Sequence, residues 1–314
     1  MRIVITEFMD AAAVATLAAQ FDTRYDEKLV DRADDLRAAL VDASALIVRN
    51  RTQVTAALIE GAPQLQVVGR LGVGLDNIDV RACAARGITV IPATGANALA
   101  VAEYVIGAAM LLLRGAYAAT VDVGAGGWPR AALSNGRELS GKTLGVIGFG
   151  GIGRLAGRLA RALGMNVIGF DAQIAPSSPV WTGEQTGARS LDALLAEADV
   201  VTLHVPLVAA TRNLIDAARI AQMKPGAILV NTARGGVVDE SAVAGALRGG
   251  QLGGAALDVF GVEPLPSGSP LAGCPNLILT PHIAGVTAES NTRVSQLIAD
   301  KVAAALRATD RVSS

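Results

Sequence analysis

Short β-branched runs alternate along the chain with Ala-rich segments of helical spacing. In the first hundred residues the runs fall at 2–5, 45–48, 66–69 and 88–91. Apolar runs of this length separated by helical segments predict βαβ units, a parallel sheet with helices on its faces. An apolar helix is predicted over 98–113, followed by a loop holding Gly124, Gly126, Gly127, Trp128 and Pro129. A second series of six runs follows at 143–147, 166–170, 199–203, 227–231, 255–258 and 277–280. Six parallel strands fit a full doubly wound, dinucleotide-binding sheet. The final segment, 287–306, places Val294, Leu297, Ile298, Val302 and Leu306 on one helical face. Thr287 is suited to cap that helix, and a polar tail follows it.

The chain has 314 residues, which predicts two domains with cores of useful size. Hydrophobic residues make up 51% and charged residues 18%, which excludes a disordered chain. Lys and Arg total 27 against 28 Asp and Glu, so there is no basic excess for nucleic acid. The apolar stretch ending at Leu113 is too short to span a bilayer, and MRIVITEFMD lacks the pattern of a signal peptide. Cys83 and Cys274 lie far apart, outside any CxxC, which argues against a disulfide scaffold or a cysteine metal site. The expectation is a soluble cytoplasmic protein with no metal, no nucleic-acid partner and no membrane partner.

The segment TLGVIGFGGIGRLAGRLARALG carries Gly148, Gly150 and Gly153 as GxGxxG, with Gly151 and Ile152 between them. It follows an apolar run and opens a helical pattern, and Asp171 ends the next run 18 residues beyond Gly153. In such a loop the first glycine permits a tight turn, the second lets the backbone approach a pyrophosphate, and the third lets helix and strand pack closely. The helix N-terminus offers N–H groups to phosphate. Asp171 would accept hydrogen bonds from ribose hydroxyls and repel a 2′-phosphate, which favours NAD over NADP. The competing reading is a glycine turn used only for packing.

Ligands of open α/β sheets bind beyond the carboxyl ends of the strands. Arg234 follows the fourth run of the second series, Asp258 and Glu263 the fifth, and His282 the sixth. In the strand order 3-2-1-4-5-6 these three runs form the nicotinamide half. His204 follows the third run, on the adenosine half; it and Pro206, with Thr232 and Ala233 after the fourth run, are assigned to cofactor binding. The chain has only two histidines, so His282 is selected as acid/base by position. Glu263 would fix its tautomer, and Arg234 would pair with a substrate carboxylate.

The stretches VGRLGVGLDNID, ATGANALAVAEYVI, ELSGKTLGVIGFGGIG, LHVPL, NTARGGVVDE, ALDVFGVEP and TPHIAG together resemble the D-isomer-specific 2-hydroxyacid dehydrogenases, over nearly the whole chain. The resemblance implies an NAD-dependent oxidoreductase acting on a D-2-hydroxy acid, with Arg234, Glu263 and His282 as its catalytic set. It implies that Asp258 contacts the nicotinamide carboxamide and that Gly72, Val73 and Gly74 lend N–H groups to the substrate carboxylate. It also implies a Rossmann domain at 98–282 inserted into a flavodoxin-like substrate domain formed by 1–97 and 283–314. Homodimers paired through the cofactor domain are implied too, with Trp128 a candidate interface residue.

Arg49, Arg51 and Arg70 stand at the carboxyl ends of first-domain runs. A lactate-like acid does not need three further cations, so these residues are expected to include the ligands of a second anionic group. Acids of the 3-phosphoglycerate or 3-sulfolactate type fit. The alternatives are arginines paired at the surface with Asp residues, a hydroxypyruvate/glyoxylate reductase, and a corepressor-like NAD(H)-binding protein without turnover.

Overall fold

A computed structural model describes residues 1–313, with side chains through residue 309. The chain divides into two compact units, one of residues 1–97 with the segment from Val286 onward, the other Ala98–Gly285. Among the described residues no single helix is long and apolar enough to cross a membrane.

The first unit is built on five parallel strands: β1 (Arg2–Ile5), β2 (Asp22–Tyr25), β3 (Ala45–Val48), β4 (Val67–Arg70) and β5 (Thr89–Pro92). Their order, β2-β1-β3-β4-β5, is that of a flavodoxin-like sheet. The central strand β3 reads ALIV and is buried throughout, as a strand covered on both faces must be. β2 has no counterpart among the predicted runs. Its sequence, DTRY, is polar because it is a half-exposed edge strand. The C-terminal helix, Ala288–Ser313, lays Ile298, Val302 and Leu306 into this unit's core. Thr287 caps it, its Oγ1 accepting the Ser290 N–H at 3.0 Å. The helix does not stop at residue 306, because nothing in ATDRVS acts as a Gly or Pro terminator; Ser314 lies outside the described residues.

The second unit holds seven parallel strands: β6 (Thr143–Ile147), β7 (Asn166–Phe170), β8 (Gly187–Ala188), β9 (Val200–Leu203), β10 (Ala227–Asn231), β11 (Leu252–Leu257) and β12 (Leu277–Leu279). They are ordered β12-β11-β10-β9-β6-β7-β8. The six-strand reading missed β8, a two-residue strand with no β-branched signal. This shifts the assignment of β9: it pairs with β6 on the side of β10–β12, so His204 does not belong to the outer, adenosine-side edge where the third run was expected. The helix Ala98–Arg114 packs on the helix Gly151–Ala162 and on β10 and β11, which buries most of its apolar residues, while Leu99, Met110 and Leu111 stay exposed.

Candidate active site

Immediately after β11 comes Asp258, a buried acid that holds the segment following β12. Its Oδ1 accepts the Thr280 hydroxyl at 2.6 Å and the Ile283 N–H at 2.8 Å, and its Oδ2 accepts the Ala284 N–H at 2.8 Å. Its main-chain oxygen accepts the His282 N–H at 2.9 Å. The Tyr104 hydroxyl lies 2.7 Å from Thr280 Oγ1, and burial raises the phenol's pKa, so it stays neutral. These bonds hold His282 at φ +56°, a left-handed conformation that costs an L-residue roughly 1–2 kcal/mol. They also tie residues 283–285 to this unit rather than to the C-terminal helix.

So held, the imidazole places Nδ1 2.8 Å from Glu263 Oε2. Glu263 is fixed in turn by the Phe260 N–H, which donates to Oε1 at 3.0 Å. With Nδ1–H donated to the carboxylate, Nε2 is the ring nitrogen left open, and it has no partner among the described residues. Arg234 is carried by a turn built on buried Asn231, whose Oδ1 accepts the Ala233 N–H at 3.0 Å and whose Nδ2 donates to Arg234 O at 3.1 Å. An Arg234 Nη1–H donates to Ala233 O at 2.6 Å. A Cβ on Gly235 would lie 1.7 Å from Phe260 O, so only glycine lets the Arg234 turn close against the loop that carries Glu263. Sequence reasoning missed Asn231, Gly235, Tyr104 and Thr280. The only signal was their place within or beside the quoted motifs.

Three of the roughly four acceptor positions of the Asp258 carboxylate are taken by its own chain. One remains for a donor from outside, so its first task is to build the His282 turn.

The Gly-rich loop fits a dinucleotide. Gly148 has φ +92°, and a Cβ there would meet His204 O at 2.5 Å. A Cβ on Gly153 would meet Gly148 O at 2.3 Å, whereas Gly150 and Gly151 face open space. The first and third glycines are therefore required by packing, and the middle pair leaves room for a ligand at the start of the helix that contains Ile152. Asp171 is fixed at the end of β7, accepting the Phe149 N–H at 2.7 Å and the Gln173 N–H at 2.8 Å. His204 and Thr232 follow neighbouring strands, and His204 Nδ1 and Thr232 Oγ1 are buried with no partner, two polar atoms that a bound ligand would satisfy. His204 Nε2 is 3.1 Å from Thr202 Oγ1. Pro206 is exposed and its oxygen accepts the Thr211 hydroxyl at 2.6 Å. Ala233 is buried with both its main-chain groups engaged. Among the described residues no group of three or more His, Cys, Asp or Glu could hold a metal ion.

The first-unit candidates sit on adjacent strand ends but differ in state. Arg49 is half-buried, its Nη2 donating to Asn291 Oδ1 at 2.8 Å and its guanidinium 5.7 Å from the Phe8 ring centre. Burial lowers its pKa, with the Glu7 charge opposing. Arg51 is exposed and paired with Asp31, which raises its pKa. Arg70 turns back, donating from Nη1 to Leu71 O at 2.9 Å and lying over Gly72. The expected trio of amides is corrected by one. The Gly72 N–H donates to Arg70 O at 2.8 Å and is not available to a carboxylate, whereas those of Val73 and Gly74 have no acceptor among the described residues.

Residues 106–284 match the profile of the D-isomer specific 2-hydroxyacid dehydrogenase, NAD binding domain. The chain is 52% identical over 304 residues to the (S)-sulfolactate dehydrogenase of Chromohalobacter salexigens, covering 97% of this chain and 98% of that one. It is 43% identical over 307 residues to the D-3-phosphoglycerate dehydrogenase of Haemophilus influenzae, covering 96% of this chain and 73% of the other. The TT0316 protein of Thermus thermophilus has a similar structure, with a TM-score of 0.87, 32% identity, and coverage of 98% of this chain and 97% of that chain.

Burial pushes the His204 imidazole from 6.5 down to about 4. Its proton uptake is favoured in the unfolded chain, so the stability it contributes is complete above pH 6.5 and is lost as pH falls toward 4. The expected NMR result for the ligand-free protein is a His204 ring that stays neutral from pH 8 to 5 and titrates only near pH 4. A midpoint near 6.5 would contradict its burial.

Proposed function

This chain belongs to the D-isomer specific 2-hydroxyacid dehydrogenase family, and we propose that its substrate is a 2-hydroxy acid with a second anionic group, of the 3-sulfolactate type. It is an NAD-dependent oxidoreductase that interconverts a 2-hydroxy and a 2-keto acid. The loop at Gly150 and Gly151 and the Asp171 carboxylate would hold NAD, which would supply the hydride acceptor and donor.

The residues do the rest. Arg234 holds the substrate carboxylate through paired N–H donors. His282 Nε2 takes the hydroxyl proton as the alcohol is oxidised and returns it to the developing alkoxide in reduction. Glu263, 2.8 Å from Nδ1, keeps the ring oriented and stabilises it while it carries both protons. Asp171 selects the unphosphorylated ribose. Replacing His282 with Gln is expected to lower kcat by roughly 10²–10⁴-fold. NADH binding, followed by fluorescence, is expected to persist; retained turnover would overturn the assignment.

The observation that carries the substrate proposal is Arg49. Its only side-chain hydrogen-bond partner among the described residues is the neutral amide of Asn291, whereas Arg51 is already matched by Asp31. A half-buried guanidinium with a neutral partner is suited to a sulfonate or phosphate. The (S) label of the sulfolactate relative agrees with a D-specific family. Sulfur makes C3 outrank the carboxylate carbon in priority, so (S)-3-sulfolactate has the spatial arrangement of D-lactate. In a panel of D-lactate, 3-sulfolactate, D-3-phosphoglycerate and hydroxypyruvate, run with NAD and with NADP, kcat/KM for 3-sulfolactate is expected to exceed that for lactate by about 100-fold or more, with NAD preferred. Arg49→Ala is expected to remove most of that preference through KM. Equal efficiencies for lactate and 3-sulfolactate in the unaltered enzyme would refute it.

A homodimer accords with the exposed apolar side chains of Tyr117, Val121, Val123 and Trp128, of which Val121 and Trp128 are 80% and 78% exposed. Sedimentation is expected to give a dimer that Trp128→Glu shifts toward monomer; a monomeric unaltered chain would end this reading. A cytoplasmic location accords with two free cysteines.

A further inference from the structure

Beneath the turn that carries Arg49 and Arg51 lies a carboxylate that the hydride-transfer chemistry does not use. Glu7 follows β1 and is 4% exposed. Its Oε1 accepts the N–H of Arg49 at 2.9 Å and of Thr52 at 3.0 Å; its Oε2 accepts that of Asn50 at 3.3 Å and of Arg51 at 3.0 Å. Four successive main-chain donors therefore converge on one side-chain anion, a nest closed around an internal acid. Burial by itself would raise the Glu7 pKa, but the N–H groups of Thr52, Arg49 and Arg51 outweigh it and lower it.

The other side of the turn is also held. Asn77 Nδ2 donates to Thr52 O at 2.7 Å and to Arg49 O at 3.4 Å, and the hydroxyls of Thr6 and Thr52 meet at 2.8 Å. Asn50 and Arg51 are exposed, yet their amides are fully engaged. The turn is at the surface but its main chain is organised like that of a core.

We propose that Glu7 is a positioning residue for recognition of the substrate's distal anion, holding the 49–52 turn so that Arg49 is presented in a single orientation. The proposal rests on Arg49 as the ligand of that anion. Two effects of Glu7 oppose each other. Its negative charge disfavours a nearby anion, while its hydrogen bonds fix the main-chain turn that carries the attracting guanidinium. Gln in its place removes the charge and turns an NH₂ group toward two N–H donors, so the two effects predict opposite signs. Geometry is expected to dominate, because a displacement of about 1 Å in a positioning group can cost on the order of 10²-fold.

The experiment compares the unaltered enzyme, Glu7→Gln and Arg49→Ala in steady-state kinetics with 3-sulfolactate and with D-lactate. Glu7→Gln is expected to raise KM for 3-sulfolactate at least about tenfold while changing KM for lactate less than about twofold. A fall in the 3-sulfolactate KM would show that the charge dominates and overturn the proposal. So would an equal loss toward both substrates, which marks a merely structural role. A preference lost in Arg49→Ala but kept in Glu7→Gln refutes the positioning role alone; no preference in the unaltered enzyme refutes the Arg49 reading beneath it. Hydrogen exchange on the unaltered protein covers the case in which the variant does not fold. The amides of residues 49–52 are expected to be protected like those of β3, and exchange at free-loop rates would overturn the proposal.

Discussion

Asp258 takes the Thr280 hydroxyl and the Ile283 and Ala284 amides on its carboxylate, and the His282 amide on its main-chain oxygen. A segment with no regular structure is thereby shaped around one buried charge. The charge is tolerable inside the protein because these donors replace the water it gives up. The position of the imidazole depends on that exchange. His282 adopts a left-handed backbone conformation, its ring meets Glu263, and Nε2 is left without a partner among the described residues. The same logic recurs at Glu7, where four amides surround a second buried acid. In both places an internal carboxylate acts as a template for a loop.

Most of the architecture could be read from apolar runs, because parallel strands covered on both faces leave continuous signals such as ALIV and AILV. The elements that escaped were those without such burial: β2, a polar edge strand, and β8, two residues long. Missing β8 mattered more, since it displaced β9 in the assumed order and put His204 on the wrong side of the sheet's centre. Arg234, Glu263 and His282 could be singled out as candidates because they follow successive strands, and the structure brings Glu263 to the His282 ring. The residues that aim them were not. Asn231, Gly235 and Thr280 act through main-chain contacts and close approaches, and a sequence does not display which backbone atoms will meet.

The arginines at the ends of β3 and β4 show why a count of cations is a weak guide to an anion site. Three similar residues reach three states: one half-buried beside a neutral amide, one matched by an aspartate, and one folded against its own main chain. Residue type set the chemistry available. The neighbours Asn291 and Asp31 set the states of Arg49 and Arg51. Asn291 lies 242 residues from Arg49 in the sequence, so no local pattern could have revealed the pairing.

The discontinuity of the first unit sets an order of assembly. Ile298, Val302 and Leu306 fill its core, yet they are translated after every strand of the second sheet has been made. On the ribosome, residues 98–285 can close their own core while the older amino-terminal strands still wait with an apolar face uncovered. The unit whose strands are made before the second sheet is therefore completed after it. β4 and β5, the strands against which the closing helix packs, keep that face uncovered until the helix has been made.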